Sequence, residues 1–198
     1  GPISSDGSLA DADVKFSGLA ADDSVGICVA AGGDVNDDGY DDLLIGGSGA
    51  DGDASDSGAA WLFYGPLTGS LSVSEADARL LGEAEGDLAG QMVAFAGDVD
   101  ANGASDVLIG AYKSDPDGTT DAGSAYLLLG PISGEISLSA SDGIFRGGEE
   151  GAYLGSGLSG VGDLDEDGTD DFILGAHGVE VDGESRAGEV YLLMGKGL

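Results

Sequence analysis

DVNDDGYDD, residues 34–42, decides the fold of this 198-residue chain, because it returns twice at an almost constant interval. DVDANGASD begins at Asp98 and DLDEDGTDD at Asp163, so the intervals are 98 − 34 = 64 and 163 − 98 = 65 residues. Each copy alternates acidic or amide side chains and has a glycine at its sixth position. An acidic turn in three registered copies predicts a repeat protein.

Two further segments follow the same rhythm. A Gly-Pro pair followed by Ile or Leu starts at Gly1, Gly65 and Gly130, and an apolar segment reads GAAWLFYG, GSAYLLLG and GEVYLLMG from residues 58, 123 and 188. The sequence therefore predicts one propeller-type unit, residues 1–198, built from three repeats at 1–64, 65–129 and 130–198.

Each repeat contains four short apolar blocks bounded by Gly and Asp. In the first repeat these blocks are 14–16, 27–30, 43–46 and 61–64. Four strands in a repeat of this size favour an all-β fold of β-propeller blades over a helical repeat. Consecutive apolar residues, as in WLFY, indicate strands covered on both faces by neighbouring blades. A short helix at 74–78 has little support, because the equivalent residues 139–143 read SASDG.

The strand order predicts an incomplete ring. If residues 2–16 form an outer strand, the first blade is 24–64 with 78–82, and the second is 88–129 with 143–147. The third blade, 153–194, then lacks its outer strand. Because propellers close with about 4 to 8 blades, we expect a second copy, associated head to tail, or further repeats of a longer chain to complete the ring.

The acidic segment has the pattern of a calcium loop. Positions 1, 3, 5 and 9 carry side-chain oxygens in every copy, position 6 is Gly, and the carbonyl of position 7 can join the set. Several hard oxygen ligands in a flexible loop select Ca²⁺ over Mg²⁺. We predict about three Ca²⁺ ions, one per repeat, held by Asp34, Asn36, Asp38, Tyr40, Asp42, Asp98, Asp100, Asn102, Ala104, Asp106, Asp163, Asp165, Asp167, Thr169 and Asp171.

An EF-hand is excluded at position 12, where that motif needs a bidentate Glu. Position 12 is Ile45, Ile109 and Leu174 here, so each loop enters a buried strand. The loop therefore closes a β-hairpin, and the alternative is an ordinary solvated Asp/Gly turn. The third loop has four Asp ligands where the others have three Asp and one Asn, so we expect it to bind most tightly.

These residues resemble the FG-GAP repeats that build the β-propeller of integrin α subunits. The first half-motif reads Val25-Gly26, Ala89-Gly90 and Leu154-Gly155, without the family's Phe, and the second begins at Ile45-Gly46, Ile109-Gly110 and Leu174-Gly175, without its Pro. The resemblance implies calcium hairpins on one face of a propeller and a ligand surface on the opposite face. The segments 48–58, 113–123 and 177–188 differ among the copies, so we expect either binding loops on that opposite face or ordinary solvated turns.

Composition excludes several function classes. Six Lys and Arg against 38 Asp and Glu give a formal charge of −32, and the cations are scattered, so nucleic-acid binding is excluded. No apolar run approaches the roughly 18 to 20 residues of a membrane-spanning helix, so we expect no membrane insertion. We expect a piece of a longer protein, because the chain starts at Gly1 without an initiator Met or signal-type segment.

Nothing in the pattern predicts an enzyme. His177 is the only histidine, and we assign it to a loop or strand end; Cys28, the only cysteine, we assign to packing. Two G-x-G-x-x-G segments, from Gly47 and Gly155, lack a following helical pattern, so we interpret them as products of the repeats.

The sequence thus predicts a calcium-binding, extracellular or cell-surface propeller module that mediates protein or glycan interaction or adhesion. One alternative is a non-catalytic propeller domain of a larger secreted enzyme. In a further interpretation, the acidity is a halophilic adaptation that concerns solubility.

Overall fold

The computed structural model describes residues 8–195; Gly1–Ile3, the first Gly-Pro segment, and residues 2–7 of the predicted outer strand 2–16 lie outside that range. Of the described residues of that segment, only 14–16 belong to a strand, and Leu9–Asp11 form a 3-10 turn. Fourteen strands are present in the described part, and their bounds are β1 Val14–Ser17, β2 Val25–Gly33, β3 Asp42–Gly47, β4 Ala59–Phe63, β5 Gly69–Ser72, β6 Ala78–Leu81, β7 Met92–Gly97, β8 Asp106–Ala111, β9 Ser124–Leu128, β10 Gly134–Ser137, β11 Gly143–Arg146, β12 Leu154–Gly162, β13 Asp171–Ala176 and β14 Glu189–Leu193.

The strands form three antiparallel blades. The first blade has the order β2-β3-β4-β6, the second β7-β8-β9-β11, and the third β12-β13-β14. This confirms the all-β, incomplete-propeller prediction, and the third blade has no outer strand within residues 8–195. β1 is an outer strand that lies next to the first blade without three strands of its own.

The second and third repeats each contain a fifth strand that the sequence did not predict, β5 and β10 respectively. β5 pairs in parallel with β1, and β10 pairs in parallel with β6, so this strand joins each blade to the outer strand of the blade before it. A 3-10 turn follows β5 at Val73–Glu75 and β10 at Leu138–Ala140. Each turn is only three residues long, and Ala78 already belongs to β6, so no helix spans 74–78. A serine caps each turn, and the first residue of the turn is buried.

The third strands of the first two blades are buried, whereas that of the last blade is mostly exposed. β4 and β9 are buried at all five positions, as their consecutive apolar residues predicted, whereas four of the five residues of the equivalent strand β14 are exposed. One apolar cluster joins the first two blades, and another joins the second and third. The hydrophobic core therefore lies mainly between the blades.

Glycine lets the blades meet backbone to backbone. A Cβ built on Gly46 would lie 1.9 Å from the carbonyl oxygen of Gly90, and one on Gly110 would lie 2.2 Å from that of Gly155. Both contacts cross a junction between blades, so the Gly of the second half-motif is required by close approach. In the described part of the chain, no helix is long and apolar enough to cross a membrane.

Candidate metal centre

The three acidic loops connect the first two strands of each blade and have one conformation. Position 4 has positive φ in all three, at 55° for Asp37, 60° for Ala101 and 58° for Glu166. The glycine at position 6 follows with φ of 88°, 96° and 96°. Two residues with positive φ, at positions 4 and 6 on either side of position 5, make the turn tight, which explains the glycine at position 6.

The carboxylate at position 1 organises the turn. In the second loop Asp98 accepts the N–H of Asn102 at 3.0 Å and that of Gly103 at 2.9 Å. Asp34 and Asp163 accept the equivalent pairs of amides at 2.8 to 3.1 Å. These bonds bring positions 1, 5 and 6 together before any ion is considered.

Positions 3 and 5 complete the inner side of the turn. The side chain at position 3 accepts the N–H of position 5, and the side chain at position 5 accepts the N–H of position 7, in all three loops. This second bond orients Tyr40, Ala104 and Thr169, whose carbonyl oxygens were predicted as ligands. In the first two loops an amide also donates to a neighbouring carboxylate, as from Asn36 to Asp38 at 2.9 Å.

The aspartate at position 9 has a structural task that sequence reasoning missed. Asp171 is fully buried and accepts the N–H of Leu164 on one oxygen and that of Gly195 on the other, both at 2.8 Å. Asp42 and Asp106 make the same pair of bonds. Each therefore ties the loop to a glycine two residues past the end of the third strand, and the recurring Gly-Pro at 65 and 130 was the signal for this partner.

Burial sets the electrostatics of position 9. It raises the pKa of Asp106 to about 6, against the lowering effect of the N–H groups of Gly130 and Val99, and Asp100 and Asp98 add repulsion. Burial also raises the pKa of Asp42. A buried carboxylate beside other carboxylates is stabilised in its ionised form by a cation, so the donor set fits a divalent metal.

Carboxylate oxygens converge in two of the loops. In the second loop one oxygen from each of Asp98, Asp100 and Asp106 lies within 4.8 Å of the others, and Asp163, Asp165 and Asp171 do the same in the third. The first loop has the same backbone and the amide of Asn36 at position 3. The structure thus brings positions 1, 3 and 9 together, and places position 5 in the same turn.

Neighbouring loops are bonded to each other through position 8, which the sequence analysis did not single out. The N–H of Ser105 donates to the carbonyl oxygen of Asp34 at 2.8 Å, and the N–H of Asp170 donates to that of Asp98 at 2.9 Å. The side chains return the bond, since Ser105 Oγ accepts the N–H of Asp34. The loops therefore form a connected row along one edge of the blades.

None of the other residues considered in the sequence belongs to an acidic loop. His177 is exposed, its Nδ1 lies 2.9 Å from Ser156 Oγ, and its ring stacks on Tyr153 with centroids 5.0 Å apart. Cys28 is half-buried, with Sγ 3.7 Å from the carbonyl oxygen of Val93. The two G-x-G-x-x-G segments begin within β3 and β12, so neither opens a helix.

The sequence is similar to several curated proteins. Integrin alpha-5 of Xenopus laevis is 31% identical over 173 residues, which are 84% of this chain and 16% of that protein. Integrin alpha-IIb of Mus musculus is 31% identical over 150 residues, which are 73% of this chain and 14% of that protein. The chain is an integrin-α-like repeat protein.

Integrin alpha pat-2 of Caenorhabditis briggsae is 32% identical over 109 residues, which are 54% of this chain and 8% of that protein. The chain thus spans about a sixth or less of the length of these relatives. No family model matches it.

Proposed function

We propose that the chain is a calcium-stabilised propeller module that binds a protein or glycan ligand outside the cell or at its surface. The observation that carries the proposal is the recurrence of one loop geometry in three copies, with carboxylates converging at positions 1, 3 and 9 in the second and third of them. A single Asp/Gly turn needs no ion, but three identical ones in register favour a common ligand. The integrin-α relationship supports an interaction role.

Each loop offers a set of hard oxygens. Positions 1, 3, 5 and 9 would supply side-chain oxygens, and position 7 its carbonyl, which is the donor set for Ca²⁺. When bound, Ca²⁺ supplies positive charge to groups that otherwise repel one another. Three ions would change the formal charge from −32 to −26, because 3 × 2 = 6. The third loop, with Asp163, Asp165, Asp167 and Asp171, would bind most tightly.

The ligand surface is proposed at the opposite ends of the strands, on the segments 48–58, 113–123 and 177–188. There Tyr153 collects positive and aromatic groups: Lys113 Nζ lies 5.0 Å from its ring centroid, Arg186 Cζ 5.8 Å, and His177 stacks on it. Two of the six Lys and Arg residues of a strongly acidic chain thus meet at one tyrosine. His177 and Arg186 are exposed and Tyr153 and Lys113 half-buried, and accessible aromatic and cationic side chains on loops are typical of binding surfaces.

Calorimetric titration with CaCl₂ tests the metal proposal, and we expect about three ions per chain. Thermal unfolding in excess CaCl₂ should occur at higher temperature than in EGTA, because a ligand of the native state stabilises it by about 2.7 kcal/mol per site at a hundredfold excess over Kd. Equal melting in both solutions contradicts the proposal. MgCl₂ at the same concentration serves as the ion control.

A glycan and protein array, read with and without EGTA, tests the ligand proposal. Tyr153→Ala should abolish binding of any probe that the unmodified chain retains. Tyr40→Ala is the matched control, because it removes an exposed tyrosine from the calcium edge and the second repeat has Ala104 at that position. Loss of binding in Tyr40→Ala alone would contradict the assignment of the ligand face.

A further inference from the structure

The third strand of the last blade is an unpaired edge with buried counterparts. Val190, Tyr191 and Leu192 in β14 are 70%, 41% and 45% exposed. The equivalent residues of β4 and β9, at 60–62 and 125–127, are at most 3% exposed. In those blades an outer strand, β6 or β11, pairs with the third strand. β14 thus has the apolar sequence of a buried strand, but no outer strand pairs with it among residues 8–195.

The first end of the array shows the converse arrangement. β1 is an outer strand held only by the next blade, through its parallel pairing with β5 and the contact of Phe16 with Phe63, whose ring centroids are 4.8 Å apart. Around it, apolar residues are exposed that are buried in later repeats. Leu9 is 92% exposed where Val73 is 2% exposed, and Val29 is 61% exposed where Val93 is 4% exposed.

Each junction between blades also contains a close contact between a glycine of one blade and a carbonyl oxygen of the preceding blade. At each end of the array, only one of these two groups is present. A Cβ on Gly90 would lie 2.2 Å from the carbonyl oxygen of Ala59, and one on Gly155 would lie 2.3 Å from that of Ser124. Gly26, their counterpart in the first blade, has open space at the same place. Its missing neighbour corresponds to Glu189 in β14, which continues the series Ala59, Ser124.

The row of acidic loops ends in the same way. At both internal junctions the N–H of position 8 donates to the carbonyl oxygen of position 1 in the preceding loop. The next bond in the series would run from Asp41 of the first loop to Asp163 of the third. The two ends of the chain therefore present the two halves of one junction.

We propose that a second copy of this chain completes both ends, so that two chains form a six-bladed ring. β1 of each copy would pair antiparallel with β14 of the other in the register of β6 on β4 and β11 on β9. That register places Lys15 opposite Tyr191 and Phe16 opposite Val190. Lys15 then lies next to the Glu189 carboxylate, which accepts the hydroxyl of Tyr191 at 2.6 Å.

A head-to-tail contact either closes or propagates, and six blades lie within the range at which propellers close. The inference uses the blade junctions and does not depend on the calcium proposal. A dimer that forms in EGTA supports it even if calcium never binds. A monomer that is stabilised by calcium overturns it and leaves the calcium proposal standing.

Sedimentation equilibrium of the 198-residue chain should give twice its mass of 19.4 kDa at micromolar concentration. Val29→Asp should weaken the dimer by about 100-fold or more, because it places a charge in a junction that is dry in the other repeats. Leu19→Asp is the matched control: Leu19 is 66% exposed, and its counterparts are Glu83 and Gly148. A monomeric mass at 100 µM, or equal effects of the two variants, overturns the proposal.

Disulfide trapping tests the register directly and needs no loss of stability. In a Cys28→Ser background, Lys15→Cys with Tyr191→Cys places two cysteines directly opposite each other across the copies, at the about 4.5–5.5 Å Cβ spacing of cross-strand pairs. Oxidation should give a closed dimer as the final product. A ladder of larger species overturns the ring, and a monomer overturns the pairing. Lys15→Cys with Val190→Cys is the control, since its cysteines face opposite sides of the sheet and should cross-link poorly.

Discussion

Asp171 and Asp165 belong to the same loop, but the structure predicts that replacing them has different consequences. Asp171→Ala leaves the N–H groups of Leu164 and Gly195 without their acceptor. A hydrogen bond to a charged group contributes about 1.5–3 kcal/mol, so two of them give a destabilisation of about 3–6 kcal/mol, even in the absence of metal. Asp165 is exposed and accepts one N–H, from Asp167 at 3.3 Å. Asp165→Ala should therefore cost less than about 1 kcal/mol in EGTA.

In calcium, Asp165→Ala should show a loss of stability that it does not show in EGTA. Asp165→Ala removes a proposed ligand, so it should lose about 2.7 kcal/mol of the calcium-dependent stability measured at a hundredfold excess over Kd. Urea unfolding followed by far-UV circular dichroism, with CaCl₂ or with EGTA, measures both effects at one protein concentration. Glu166→Gln is the control, because it removes a charge from position 4 of the same loop, which is not a proposed ligand.

Two results would refute this reasoning. If Asp171→Ala unfolds like the unmodified chain in EGTA, the buried ties of position 9 do not stabilise the loop. If Asp165→Ala retains the full stabilisation by calcium, position 3 is not a ligand and the convergence of carboxylates has another cause.

Two further predictions follow from burial and from close packing. Burial raises the pKa of Asp87 to about 6 from 3.8, and repulsion from Glu83 and Asp115 adds to the rise. The contribution of protonated Asp87 to stability is therefore fully present below about pH 3.8 and is lost as the pH rises through about 6. Ionised Asp87 then lowers the free energy of unfolding by about 3 kcal/mol at pH 7.5. Asp87→Asn should raise stability by up to that amount at pH 7.5 and change it little at pH 4. An equal gain at both pH values would contradict the assignment. Gly46→Ala should destabilise the chain by about 3 kcal/mol or more, because its Cβ meets the Gly90 carbonyl. Gly148→Ala is the control: a Cβ there meets open space, so the free energy of unfolding in the same urea titration should change little. Equal effects of the two variants would refute the close junction.

The strands of the blades could be predicted because their signal is local. Trp61 and its neighbours are apolar at consecutive positions, and in β4 and β9 both faces are buried as that pattern requires. The acidic loops could be predicted because a turn with a left-handed residue at position 6 needs Gly, which recurs at Gly39, Gly103 and Gly168. β5 and β10 escaped because their residues GSLS and GEIS are polar or half-exposed, and what orders them is backbone pairing with another blade.

The roles of positions 8 and 9 escaped for a related reason. Sequence reasoning assigned Asp42, Asp106 and Asp171 to the metal because their spacing fits a ligand set. The structure adds that both oxygens of each accept backbone N–H groups, from residues 7 and 23 or 24 positions away in sequence. Asp and Ser at position 8 looked like ordinary turn residues, and only the adjacent blade reveals their bonds to the preceding loop.

Junctions between blades determine what a three-blade array can gain by association. Stability in a repeat protein is approximately a sum of repeat and nearest-neighbour terms. A single chain makes two junctions, between its first and second and its second and third blades. Two chains closed into a ring make six, which is three per chain. Closure therefore adds one junction to each chain while burying the most exposed apolar residues, Leu9 and Val190 among them. Because the new junction repeats contacts already present twice, its geometry requires no interface that the fold does not already contain.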